Sequence, residues 1–379
     1  MTDATLELAK ALIARPSVTP ADAGCQDLLA QRLAPLGFHI ERLRFGEVDN
    51  LWARLGTSAP LVVLAGHSDV VPPGDLNAWR TDPFVPHVRD GRLYGRGAAD
   101  MKSSLAAFVT AGEALVKRPG DMKGSLAYLV TSDEEGDALD GTRRVVEHLV
   151  TQGVHIDQCI VGEPTAERES GDVIKNGRRG SLGARLLVRG KQGHVAYPQM
   201  ANNPIHRSAG ALAELVNTEW DRGNAHFPPT TLQVSNISAG TGATNVIPGT
   251  LEVLFNFRFS TAVTESALQE RVREILDRNG VDYDIHWTLS GHPYLTPEGR
   301  LIDVARRAIR RTVGIDARLS TDGGTSDGRF IAPTGAEVVE IGPPNATIHQ
   351  VDESIDIAEP RRLHAIYLAI LEDLLAGGR

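Results

Sequence analysis

The stretch Leu61–Met101, LVVLAGHSDVVPPGDLNAWRTDPFVPHVRDGRLYGRGAADM, decides how the rest of the chain is read. Its apolar start, Leu61 to Ala65, has the length and branching of a strand buried on both faces. Gly66 ends the run, and His67, Ser68 and Asp69 follow where a central strand would leave its sheet. In open α/β sheets that edge is where sites are built. After a loop rich in Pro and Gly comes a second polar group, Gly95-Arg96-Gly97-Ala98-Ala99-Asp100, and a helical pattern opens at Met101. Its glycines could begin a dinucleotide fingerprint, but Asp100 stands where the third glycine belongs, and a carboxylate there repels a pyrophosphate. A histidine and an aspartate delivered by separate elements suit a metal instead.

At 379 residues the chain is expected to form about two domains of roughly 150 residues each. A net charge of −9 and a pI near 5.8 argue against a nucleic-acid partner or an anionic membrane surface. With no apolar run long enough to span a bilayer and no charged-then-apolar leader, a soluble, cytoplasmic protein is expected. Cys25 and Cys159 stand far apart and form no CxxC pair, which predicts free thiols in a reducing compartment.

Taken in order, the chain predicts helices over 6–14 and 21–36, strands over 51–55 and 61–65, a helix over 102–115 and a strand over 125–131. A helix over 141–151 and a strand over 158–161 follow. This alternation predicts a mostly parallel, helix-covered sheet in an α/β domain. From 181 the order becomes strand, helix, strand, strand, helix, strand, ending near Leu289. That is the β-α-β-β-α-β order of a ferredoxin-like unit, read as a domain over 180–293 inserted between 1–179 and 294–379. The first domain then resumes with a helix over 300–312, a strand over 337–341 and a last helix over 360–375. Two long polar loops, 320–327 and 342–349, fall among these elements, and such loops beside sheet ends line sites.

His67, Asp100, Glu134, Glu135, Glu163 and His349 are the candidate site groups. Singly, each has an ordinary reading: a polar loop histidine, a solvated acidic turn at Asp133-Glu134-Glu135, a helix start at Glu163-Pro164. Together, two imidazoles and several carboxylates suit two zinc ions, one His and one acid for each, with Asp100 between them. Adjacent residues at a strand end point in different directions. One of Glu134 and Glu135 can therefore bind metal while the other serves as general base. A metal-binding protein without catalysis would need no such spare carboxylate.

The stretches GHSDVV (66–71), GRGAADMKSSLAA (95–107), TSDEEG (131–136) and GEPT (162–165), with His349, give a resemblance over essentially the whole chain. The sequence resembles the di-zinc deacylase and exopeptidase family that includes acetylornithine deacetylase and carboxypeptidase G. That resemblance implies two Zn²⁺, replaceable by Co²⁺ or Mn²⁺. It has His67 and Glu163 on one ion, Glu135 and His349 on the other, and Asp100 bridging. It implies Glu134 as general acid/base, Asp69 as a carboxylate orienting His67, and a cis peptide at Asp100–Met101. It also implies a homodimer formed through 180–293, with His194 stabilising the oxyanion of the neighbouring subunit's substrate.

Longer stretches, NGRRGSL (176–182), QGHVAYP (192–198), STDGGTSDGRF (320–330) and GPPNATIH (342–349), narrow the resemblance to one branch. Its members cleave N-succinyl-L,L-diaminopimelate in lysine and diaminopimelate biosynthesis. The alternative is another N-acyl amino acid deacylase of the acetylornithine type, or a dipeptidase. A small polycarboxylate substrate held by an acidic protein needs local cations. Arg178 and Arg258 are the candidates, because guanidinium grips carboxylate bidentately. Ser181, Tyr197, Asn245, Gly324, Thr325 and Asn345 are the candidate polar contacts.

Overall fold

The computed structural model describes residues 3–118 and 122–376. The chain forms two compact units, one of Met1–Gly177, Leu295–Ser320 and Ser326–Arg379, the other of Arg178–Tyr294 and Thr321–Thr325.

The first unit is built on an eight-stranded mixed sheet. Across it the strands run His39–Phe45, Val48–Leu55, Ser125–Thr131, Leu61–His67, Gln158–Val161, Glu337–Glu340, Val173–Lys175 and Arg318–Ser320. The strands from Ser125–Thr131 to Glu337–Glu340 are parallel neighbours, and His39–Phe45 and Val48–Leu55 add an antiparallel edge. Every residue of Leu61–His67 is buried, as an apolar run with helices on both faces requires. Val62 and Leu64 join a core with the helices Ala4–Ile13, Cys25–Leu33, Ser103–Val116, Arg300–Val313 and Glu359–Leu375. Helices Thr142–Thr151 and Gly328–Ile331 also pack on the sheet.

The structure departs from the sequence reading at several elements, among them the unpredicted strands Val173–Lys175 and Arg318–Ser320. The helix expected from 21 begins at Cys25, because Asp22 takes up the Gln26 N–H and Gly24 is left-handed, with φ 81°. It ends at Leu33, and Ala34–Leu36 forms a 3₁₀ turn around a proline. The strand His39–Phe45 was not expected. It is an edge strand whose charged residues hide its period, as edge strands commonly do.

In the second unit a four-stranded antiparallel sheet runs Thr231–Ala239, Thr250–Phe259, Gly180–Arg189, Tyr283–Gly291. Counted along the chain this is second, third, first, fourth, the order of a ferredoxin-like unit. Helices Pro204–Asn217 and Glu265–Arg278 supply the two crossovers. Leu251, Val253, Phe255, Phe257 and Phe259 alternate inward and form its core with Leu268, Val272 and Leu276. Asn203 caps the first helix and Thr264 the second through their side-chain oxygens. The loop Thr321–Thr325 belongs here by its hydrogen bonds. Thr321 Oγ1 donates to the His226 carbonyl (2.6 Å) and Arg178 Nη1 to the Asp322 carbonyl (3.0 Å).

Among the described residues, no helix is long and apolar enough to cross a membrane. Both cysteines are free and buried.

Candidate active site

Parallel pairing brings the strand ends to one edge. His67 is in register with Thr131, Ala65 with Val161 and Val161 with Glu340. His67, Glu134, Glu135 and Glu163 therefore emerge side by side, and the loop after Glu340 carries His349 to them. Asp100 comes from the turn Ala98–Lys102 that precedes helix Ser103–Val116. The Asp100–Met101 peptide is cis.

His67 Nε2 lies 3.3 Å from Asp100 Oδ1 and 3.8 Å from Glu163 Oε1. On the other side, His349 Nε2 lies 3.3 Å from Asp100 Oδ2 and 3.1 Å from Glu135 Oε1. Asp100 thus turns one oxygen to each histidine. Buried Nε2 of His67 and Oδ1 of Asp100 face each other with no hydrogen-bond partner, and such atoms require one. A cation between them would satisfy both. His67 Nδ1 lies 2.9 Å from the Asp69 carbonyl oxygen; donating there leaves Nε2 with its lone pair toward the cluster, the tautomer a metal needs. By distance alone His67, Asp100 and Glu135 form one ligand group and His67, Glu134 and Glu163 another, each within 4.8 Å. The donor set fits a pair of divalent metals.

Asp69 was expected to orient His67 through its carboxylate. Its carbonyl makes that contact, and the nearer carboxylate oxygen stands 3.6 Å from Nδ1. The carboxylate instead accepts the N–H groups of Glu134 (3.4 Å) and Glu135 (3.1 Å), tying the acidic loop to the His67 strand end.

The charges of these groups interact strongly. Burial would raise the Asp100 carboxyl, but the His349 and His67 imidazoles hold it well below the usual carboxylate range. Hydrogen bonding to Asp100 and Glu135 pushes His349 up to about 10. Burial, with Glu163, Asp327 and Glu135 adding to it against His67, raises Glu134 well above a normal carboxylate. Burial lifts Asp69 to about 6.

The model of peptidase family M20/M25/M40 matches residues 63–373. The chain belongs to that family. Among the M20 relatives of this chain is a succinyl-diaminopimelate desuccinylase of Nitrosococcus oceani, 62% identical over 372 residues, 98% of this chain and 99% of the relative. Another, of Hahella chejuensis, is 60% identical over 381 residues and 100% of both chains. Of solved structures, an M20 metallo-carboxypeptidase of Sulfolobus solfataricus superposes with a TM-score of 0.83 at 17% identity, covering 98% of this chain and 99% of the other. A dinuclear metal binding M20 peptidase of Bacillus subtilis does so with a TM-score of 0.73 at 17% identity, covering 97% and 96%.

The remaining candidates lie in three groups in the second unit, apart from Asn345, which is exposed in the loop that leads to His349. Arg178, 7% exposed, reaches the 321–325 loop that carries Gly324 and Thr325. Ser181 and Arg258 are cross-strand partners, and Ser181 Oγ accepts from Asn256 Nδ2 (3.1 Å). His194, Tyr197 and Asn245 share one corner: the His194 and Tyr197 rings are 5.8 Å apart, and Val195 N–H donates to the Asn245 carbonyl (3.1 Å).

Sequence reasoning passed over Met101, Gly342 and Glu353 because contact alone marks them. Met101 fills a cradle where a Cβ on Gly66 would meet its Cε at 2.2 Å and one on Gly162 at 2.5 Å. These glycines immediately precede His67 and Glu163. A Cβ on Gly342 would lie 2.0 Å from the Glu163 carbonyl oxygen and 2.6 Å from that of Gly162. Backbone, not a side-chain tip, would have to move. Gly342→Ala is therefore expected to lower stability by about 1–3 kcal/mol and turnover by about 10²-fold as Glu163 is displaced. Thermal unfolding with metal analysis checks this; wild-type rate and metal content would show that the shift never reaches Glu163.

Proposed function

We propose that this chain is a zinc-dependent amidohydrolase that cleaves N-succinyl-L,L-diaminopimelate to succinate and L,L-diaminopimelate, a step of lysine and meso-diaminopimelate biosynthesis. The observation that carries this reading is the full-length identity to succinyl-diaminopimelate desuccinylases, and the clustered ligand set supports it. His67 and Glu163 are read as holding one metal, Glu135 and His349 the other, and Asp100 both. Zn²⁺ is the proposed ion, with Co²⁺ or Mn²⁺ able to replace it. When bound, the pair lowers the pKa of a water and polarises the scissile carbonyl.

Glu134 accepts the proton of the attacking water and returns it to the amine nitrogen as the C–N bond breaks. His194 donates to the developing oxyanion. Its Nδ1 accepts the Ala196 N–H (3.1 Å), which leaves the ring proton on Nε2 as the donor. Arg178 and Arg258 are read as gripping substrate carboxylates, with Ser181, Tyr197, Asn245, Gly324, Thr325 and Asn345 as polar contacts. The working form is proposed to be a cytoplasmic homodimer joined through residues 180–293.

Hydrolysis of N-succinyl-L,L-diaminopimelate against N-acetylornithine under defined zinc tests the reading. Preference for the succinyl substrate is expected, and preference for acetylornithine sinks the substrate assignment. Arg178→Lys is expected to raise KM about tenfold or more with metal content intact, because an ammonium cannot form the two parallel bonds of a guanidinium. An unchanged KM would make Arg178 a structural residue only.

A further inference from the structure

We infer that Glu353 is a positioning residue for the metal site: its carboxylate fixes the backbone that presents Asp100 and ties it to the segment that presents His349. This rests on the paired-metal reading above.

Glu353 is fully buried. Its Oε1 accepts the N–H groups of Ala99 (2.8 Å) and Asp100 (3.0 Å). Its Oε2 accepts the Gly97 N–H (3.0 Å) and Arg96 Nη1 (2.9 Å). Arg96, itself 2% exposed, donates from the same nitrogen to the Gln350 carbonyl (3.2 Å). Gly95 N–H donates to the Glu353 carbonyl (3.0 Å).

The chemistry of these segments explains why one carboxylate is needed. Asp100 (φ −116°, ψ 94°) and Met101 (φ −134°, ψ 31°) interrupt the helical turn. The N–H groups of Gly97, Ala99 and Asp100 instead find their acceptor in Glu353, and buried backbone donors must have one. A buried carboxylate in turn needs several donors and a cation, and this loop with Arg96 supplies both. On the other segment, His349 is half-exposed and has a positive φ of 60°, so burial does not fix it. Glu353, four residues further on, anchors that segment to the loop carrying Asp100. The two ligands it references are the pair separated by 3.3 Å, His349 Nε2 and Asp100 Oδ2.

Glu353→Gln tests the inference because it keeps the volume while turning an NH₂ group toward two donors. Zn²⁺ is titrated calorimetrically into metal-free protein, beside thermal unfolding of that protein and measurement of kcat and KM. Glu353→Gln is expected to weaken zinc binding about 10–100-fold. kcat should fall and recover with added Zn²⁺ while KM holds. Leu371→Ala, a core truncation in the last helix, should lower the melting point and leave the titration unmoved. If Glu353→Gln behaves like Leu371→Ala, the inference is overturned. If Glu353→Gln does not fold, Arg96→Lys loosens the same clamp, and a wild-type titration there overturns the inference equally. Wild-type protein binding fewer than two zinc ions would instead sink the paired-metal reading.

Discussion

Glu134→Gln is expected to lower kcat by about 10²–10⁴-fold, the contribution typical of a general acid/base, while zinc content stays at the wild-type level. Glutamine keeps the size of the side chain and its ability to hydrogen-bond, but it cannot take up a proton and return it. The backbone at this position should hold, because the Asp69 carboxylate accepts the Glu134 and Glu135 N–H groups whatever side chain follows. The geometry makes the experiment decisive, since a carboxylate oxygen of Glu134 lies within 4.8 Å of donor atoms of His67 and Glu163 and distance alone would admit it as a ligand. Metal analysis separates the roles. His67→Ala and His349→Ala should each cost one zinc per chain. If Glu134→Gln loses zinc in the same proportion, Glu134 is a ligand and the proton shuttle must be sought elsewhere.

His194→Ala is expected to reduce turnover by about 10²–10³-fold, the cost of losing one oxyanion donor, and the loss should be repairable by a second chain. His194 belongs to the second unit, whereas His67, Asp100, Glu135, Glu163 and His349 all belong to the first. Under the proposed dimer, this histidine serves the partner's site. Homodimers of His194→Ala and of Glu134→Ala should both be nearly inactive. Mixed dimers combine a chain with a sound metal site and a chain with an intact histidine, so one working site per heterodimer should return. Mass measurement must confirm subunit exchange. Exchange without recovery of activity would place the histidine in its own chain's site or remove it from the reaction.

Much of the site was legible because its chemistry is local. His67 follows one apolar run after a single residue, Glu134 and Glu135 follow a second after three and four, and Glu163 follows a third after one. Parallel strands carry such positions to one edge, so a linear pattern of apolar run then ligand becomes a cluster in space. The ferredoxin-like order was equally legible, because strand and helix periods differ and that unit keeps both clean, as in the inward alternation of Thr250–Phe259. The edge strand His39–Phe45 was illegible for the opposite reason: its period is masked by charge.

What the sequence determined by itself was the fold class and a set of candidate groups, since both follow from periodicity and from residue type at strand ends. Only the tertiary structure decided how those groups are held. The Asp69 carboxylate accepts N–H groups of the acidic loop while its carbonyl oxygen meets His67, and Gly342 yields its side-chain space to the Glu163 backbone. Glu353 gathers the N–H groups of a loop more than 250 positions away in the chain. None of these contacts has a period or a spacing, because each joins segments whose proximity exists only once the sheet has formed.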